Sequence, residues 1–205
     1  MSAVMDEVRR LSEIARERGL RVCVVESLTS GRLAATVGAG EDASSWFAGG
    51  IVAYLTDVKE RLLGLTPGTD PCSAACAQQI AEGGLALFDA DVCVSTTGVG
   101  GPGPEGGHPP GEVHLGWATP LGTGHRALSL TGEPEQVIDE ASDAALRLLL
   151  FHAEAVRPAG PLRAPAGLQP GTSPIRSGAS GADAAASASS SSLSGRTSPT
   201  ASAKG

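Results

Sequence analysis

Between positions 3 and 156 the apolar residues switch repeatedly between helical and strand spacing, and this alternation confines the chain to a sheet covered by helices. Val4, Val8, Leu11 and Ala15 fall on one helical face, which predicts a helix over about 3–18 closed by Gly19. Arg21–Val25 (RVCVV) predicts a strand, Glu26–Gly31 (ESLTSG) a turn, and Arg32–Val37 a helix. A second strand is expected at Gly50–Tyr54, then a short helix at Asp57–Leu63 capped by Asp57 and stopped by Gly64, and a longer one at Ser73–Phe88 capped by Ser73. Asp91–Thr96 predicts a third strand, and Glu112–Ala118 with Arg126–Leu130 an antiparallel pair joined near Leu121 and Gly122. The last helix runs from Glu135 to about Val156, with Val137, Ala141, Ala145, Leu148 and His152 on its apolar face. The expected fold class is α/β, a single three-layer domain with a mixed sheet and no internal repeat.

Composition limits where that domain ends. From Arg157 to Gly205 there is no aromatic residue and the chain is mostly Ala, Ser, Gly, Pro and Thr, too little apolar surface to offset the entropy of ordering it. Residues 1–156 are therefore expected to fold and 157–205 to form a disordered tail. The folded part carries 10 Lys and Arg against 21 Asp and Glu, which argues against a nucleic-acid partner. No run of 18 apolar residues occurs and the first residues are charged and helical, so the expectation is a cytoplasmic protein without a membrane partner. Cys23, Cys72, Cys76 and Cys93 are then expected as reduced thiols. Cys72 and Cys76 have no second ligand pair at metal spacing, and His108, His114, His125 and His152 are dispersed, so no metal is expected.

Three places in the sequence suit chemistry. Glu26, Ser27, Thr29, Ser30 and Gly31 follow a strand and open a helix, where free N–H groups favour an anion. Thr96, Thr97, Gly98 and Gly100 lie at the end of the third strand and begin a fifteen-residue loop with seven Gly and four Pro, too long for a simple connector. Ser and Thr at such positions are more often helix caps than catalysts, and the loop lacks the Gly-Lys-Ser/Thr ending of a phosphate loop. The third place is Ser44-Ser45-Trp46-Phe47, then Tyr54, then Lys59, the only lysine of residues 1–156. A lysine brought by burial and nearby cations to a pKa of roughly 7–8 can deprotonate a serine, one known solution for acyl transfer. Against this stands a plain structural role, with Ser44 capping a turn, Tyr54 at an edge and Lys59 in solvent.

Taken in order, Glu26–Gly31, Ser44–Phe47, Gly49–Tyr54, Lys59 with Leu62-Leu63-Gly64, Ser73, and Thr97–Pro102 resemble the CinA C-terminal domain family across residues 5–155. The resemblance implies an α/β fold, frequent self-association into homo-oligomers, and nicotinamide-nucleotide amidohydrolase activity, the conversion of nicotinamide mononucleotide to nicotinate mononucleotide and ammonia in pyridine-nucleotide recycling. It implies a stand-alone form without the separate N-terminal domain of longer members, and no metal or organic cofactor. The family pattern assigns the nucleophile to Ser44 and its activation to Lys59, with Tyr54, Thr97 and Ser27 around them and Glu26, Thr29, Gly31, Gly98 and Gly100 toward substrate. The residues alone leave Ser27 open as the nucleophile. An oxyanion would be held near Gly98 or at the helix opening by Gly31. The chain departs from the family pattern at Ser30, at Thr56, and at Pro134 and Ile138, where arginines suited to a phosphate are usual. Arg126, Arg32 and Arg147 are the candidates to take the place of those arginines. The alternative function is a nucleotide-binding or assembly module of the same fold without catalysis.

Overall fold

In the computed structural model, which describes residues 3–157, the segment Val22–Glu26 (β1) is buried along its whole length, so both faces of the sheet around it must be covered. β1 is the second strand of a five-stranded sheet, flanked in parallel by Phe47–Val52 (β2) and Val92–Gly98 (β3). Glu112–Thr119 (β4) runs antiparallel to β3, and Gly122–Ser129 (β5) antiparallel to β4, giving the order β2-β1-β3-β4-β5. The sheet is mixed, as expected. The expected tail lies outside the described residues.

Alternation along the strands assigns the two covers. Val22, Val24, Val92, Val94, Val113 and Leu115 face a layer made of Ala3–Arg18 (α1), Arg32–Gly38 (α2) and Pro134–Ala155 (α6). Cys23, Val25, Cys93 and Ala118 face Thr56–Leu63 (α4) and Ala74–Leu87 (α5). A one-turn helix, Ala43–Trp46 (α3), leads into β2. Among the described residues no helix is long and apolar enough to cross a membrane.

Small residues let α5 lie close to the sheet. A Cβ on Gly116 of β4 would fall on the carbonyl oxygen of Ala77, and Ser95 Oγ of β3 donates to that same carbonyl at 2.6 Å. Gly84 packs against Val25 and Cys93, and Gly83 against the backbone of Leu63. A chain with six aromatics reaches a tight interior through backbone approach rather than through large side chains.

Several element boundaries differ from expectation, and three of the differences have a visible physical cause. β2 begins at Phe47 rather than Gly50, because Gly49 is a strand residue with little room for a side chain against Phe88; Gly50, already expected in the strand, packs against Ala34 and Val24. α4 begins at Thr56 with Leu55 at the cap, and Asp57 sits in its first turn paired with Arg61 at 3.2 Å instead of capping it. β5 starts at Gly122, earlier than Arg126, because Gly124 lies beneath the Trp117 ring. The Ser73 cap forms, its hydroxyl accepting from the Cys76 N–H at 3.1 Å.

Replacing Gly116 by Ala forces α5 away from the sheet. The expected cost is about 1–3 kcal/mol or more, read as a fall of roughly 3–10 °C in the thermal midpoint by circular dichroism. An unchanged midpoint would show that the helix is free to shift.

Candidate active site

β1 and β3 end side by side, and the chain leaves β1 toward β2 on one side of it and later returns to form β3 on the other. Such a switch point opens a crevice at the carboxyl ends of the strands. Ser27 follows β1 directly, and its N–H donates to the Thr96 carbonyl of β3 at 3.0 Å. The turn Ser27–Gly31 is tight: Ser30 adopts φ 50° and Gly31 φ 98°. Left-handed backbone at Ser30 is uncommon for a residue with a side chain, and here it lets the chain reverse straight into α2.

What holds this turn is Glu26, which has no measurable solvent exposure. Its carboxylate accepts the N–H of Gly31 at 3.0 Å, of Leu33 at 3.0 Å and of Ala34 at 2.8 Å. Those are the free donors of the α2 N-terminus, which would otherwise attract an external anion. Glu26 and Gly31 are therefore engaged within the fold, and the Gly31 N–H at the helix opening is already taken by a carboxylate. Thr29 is engaged too, its hydroxyl 2.8 Å from that of Thr96 in a fully enclosed pair.

Lys59 projects from α4 into this crevice. It is 2% exposed, and its Nζ donates to Ser27 Oγ at 3.1 Å and to the Tyr54 carbonyl at 3.3 Å. Both partners are neutral, so no carboxylate pins the amine. Ser27 itself is 7% exposed. Tyr54 thus meets Lys59 through its backbone, while its side chain is 63% exposed.

Ser44 does not meet Lys59. It is exposed on α3, before the start of β2, whereas Lys59 follows the end of β2. Six strand residues separate those two ends, roughly 16 Å at about 3.3 Å per residue. The structure joins Lys59 to the other serine, Ser27.

The third strand supplies a wall. Thr97 is 1% exposed and its hydroxyl donates to the Pro71 carbonyl at 2.6 Å, which fastens the turn before α5 to β3. Gly98, at φ 141°, is a packing residue: a Cβ there would fall on the Glu112 carbonyl of β4. Gly100 faces Ile138 across open space, and Gly101 faces Pro134, so the two positions that depart from the family pattern do border this loop. Of the substitute arginines, Arg32 is paired with Asp139 and Glu135, Arg147 with Glu7 and Asp143, and Arg126 is exposed on the edge strand β5.

Cys72 and Cys76 adjoin the same wall. Burial is the chief cause that pushes the Cys72 thiol up to about 11, aided by the charges of Asp70 and Glu105, and burial likewise raises Cys76. Both stay protonated at neutral pH, which disfavours them as nucleophiles.

One cluster had no signal in the sequence. His108 Nδ1 lies 3.0 Å from Glu112 Oε1, His108 Nε2 lies 2.9 Å from Asp70 Oδ2, and His114 Nε2 lies 3.1 Å from the same Glu112 oxygen. The histidines expected to be dispersed are in part gathered, because β3–β4 pairing sets His114 opposite Thr97 and the glycine-rich loop folds His108 back. The hydrogen bond to Glu112, then that to Asp70, raises the His108 pKa. His114 and then His108 lower Glu112, and the Cys72 N–H is the main cause lowering Asp70.

The sequence profile of the CinA C-terminal domain matches residues 6–152. A Geobacillus kaustophilus relative bearing the name of a competence-damage inducible protein is 42% identical over 110 residues, 52% of this chain and 27% of that one. A CinA-like protein of Frankia casuarinae is 36% identical over 137 residues, 65% of this chain and 32% of its own length. The chain thus spans about a third or less of these curated relatives. The crystal structure of a CinA superfamily protein from Klebsiella pneumoniae superposes with a TM-score of 0.71 at 28% identity, covering 76% of this chain and 100% of that one.

Glu26→Leu leaves three N–H groups without an acceptor and is expected to cost about 3 kcal/mol or more, a fall of roughly 6–12 °C in thermal midpoint. Glu26→Gln, which keeps one acceptor oxygen, should fall between. A normal midpoint in both variants would return Glu26 to the role of substrate ligand.

Proposed function

The chain belongs to the CinA C-terminal domain family, and from that premise we propose that it is an amidohydrolase in which Ser27, activated by Lys59, cleaves the carboxamide of nicotinamide mononucleotide. The observation that carries this reading is the 3.1 Å contact between two almost fully buried groups, Lys59 Nζ and Ser27 Oγ, at the carboxyl end of β1. A buried lysine held only by a hydroxyl and a carbonyl is a costly arrangement for a structural residue and a useful one for proton transfer.

The steps follow from the atoms present. Lys59, as the free amine, takes the Ser27 hydroxyl proton as Oγ bonds to the carboxamide carbon. The C–N bond then breaks, the proton passing from Lys59 to the departing nitrogen, and ammonia leaves. Water adds to the resulting ester and gives a proton to Lys59, which returns it to Ser27 Oγ as the ester bond breaks and the carboxylic acid leaves. Among the described residues the N–H groups of Leu28 and Thr29 make no hydrogen bond. They directly follow the nucleophile, the position from which backbone donors stabilise a developing oxyanion in other serine hydrolases.

A second reading, a nucleotide-binding or assembly module without catalysis, draws on the engagement of Arg32 by Asp139 and Glu135 and on Pro134 and Ile138 beside the glycine loop.

Ammonia release from nicotinamide mononucleotide separates the readings. Ser27→Ala and Lys59→Ala should each lower it by about a thousandfold or more with the fold intact, and Ser44→Ala should stay within twofold of the parent. Loss in Ser44→Ala alone would restore that serine as nucleophile. Saturable nucleotide binding with no ammonia from the folded parent would favour the binding module.

A further inference from the structure

His108 makes two hydrogen bonds that a neutral imidazole cannot make together. Its Nδ1 faces Glu112 Oε1 and its Nε2 faces Asp70 Oδ2, at 3.0 and 2.9 Å. A carboxylate oxygen only accepts, so each nitrogen must donate, and imidazole has two N–H groups only when protonated. The ring therefore spans two elements as a cation. Glu112 opens β4, and Asp70 belongs to the turn that precedes α5.

That turn borders the proposed site. Its next residue, Pro71, accepts the Thr97 hydroxyl, and Thr97 directly follows Thr96, whose carbonyl accepts the Ser27 N–H. The Asp70 carboxylate also accepts the Cys72 N–H at 2.9 Å. His108 itself is presented by a two-residue reversal at Gly106 and Gly107, in which Glu105 and His108 exchange backbone hydrogen bonds at 3.0 and 2.9 Å. The same loop is tied at its base, where the Val99 N–H donates to the Glu112 carbonyl and the Gly111 N–H to that of Val99. Between base and tip, residues 100–104 have no backbone hydrogen bond among those described, so the tip is located by the His108 ring.

We propose that His108 is a positioning residue: as the imidazolium it pins the glycine-rich loop 99–111 to the Asp70–Cys72 turn and so closes one wall of the Ser27–Lys59 site. The catalytic part of this rests on the reading of Ser27 and Lys59 as the working pair; the pin itself does not. The groups facing the ring are Asp70 from the turn and Glu112 from β4, with His114 of β4 on the far side of Glu112 and Glu105 in its own reversal. Loss of the proton leaves a nitrogen lone pair against a carboxylate oxygen, and one of the two bonds must open. The sign is consistent with the shifts. His108, raised from 6.5, holds the pin fully below that value and releases it as pH rises through its higher folded pKa. Glu112 and Asp70, lowered from 4.5 and 3.8, release it only in acid.

The test compares the full chain with His108→Arg, which keeps a charge that does not titrate, and with Asp70→Asn, which removes one anchor. Hydrogen exchange of residues 99–111, corrected for its intrinsic pH dependence, should accelerate about tenfold or more in the parent as His108 titrates and stay flat in His108→Arg. Asp70→Asn should exchange fast already at pH 6. The ratio of parent to His108→Arg kcat/KM for nicotinamide mononucleotide, in which pH effects common to both proteins cancel, should be near one below the titration and fall about tenfold above it. Flat exchange in the parent, or acceleration that persists unchanged in His108→Arg, would overturn the pin. If neither protein releases ammonia at any pH, the amidohydrolase reading fails, and the exchange data still decide the pin.

Discussion

Everything at the crevice depends on one buried carboxylate. Glu26 ends β1 and neutralises the N-terminus of α2 in the same step, so the strand and helix are joined by three charge-assisted hydrogen bonds instead of by a flexible loop. The turn between them can then hold Ser30 in a left-handed conformation and fix Ser27 against Thr96. On the amidohydrolase reading this matters, because a nucleophile on a loop would lose much of its effective concentration to motion and one clamped between a strand end and a helix start does not. The helix dipole, which in many α/β folds is spent on a ligand phosphate, is here spent on holding the turn.

The second constraint is spacing between backbones. Lys59 reaches Ser27 because α4 packs beside α5, and α5 lies close to β3 and β4. Gly83 against Leu63, Gly84 against Val25 and Cys93, and Gly116 against Ala77 set those distances. A side chain at any of them overlaps its neighbour and pushes a helix outward, against the 3.1 Å contact that defines the pair. The low aromatic content of the chain and the geometry of its site are in this sense one property.

The order of helices and strands was legible because burial imposes periods of 3.6 and 2 that are local in sequence. The start of β2 was not, since the sequence pattern begins the strand at Gly50, and only the packing of Gly49 against Phe88 shows why a glycine before it belongs to the strand as well. The family resemblance put Ser44, Lys59, Tyr54, Thr97 and Ser27 in one neighbourhood, but motif order carries no distance. Ser44 is closer than Ser27 to Lys59 along the chain and farther from it in space, because a whole strand lies between. Tyr54 was marked by its phenol and acts through its carbonyl. The group Asp70, His108, Glu112 and His114 had no periodic signature: its members come from a turn, a loop and a strand, and only β3–β4 pairing gathers them.

The cations of the site share one condition, and it bears on what a substrate must offer. Lys59 is engaged by a hydroxyl and a carbonyl, His108 by two carboxylates, and Arg32 by Asp139 and Glu135. On the amidohydrolase reading, in a domain with 21 acidic residues against 10 basic ones, a phosphate that reaches Arg32 does so by exchange, taking it from a carboxylate that is itself half in water. Swapping one anion for another on an exposed guanidinium changes little, about 0–1 kcal/mol. The amide end is different. A carboxamide oxygen meeting the open N–H groups of Leu28 and Thr29 gains hydrogen bonds that displace nothing in the fold, and these strengthen as the oxygen takes on charge. On the amidohydrolase reading, selection therefore falls on the reacting group more than on the phosphate, a division set by where the chain has left donors unpaired.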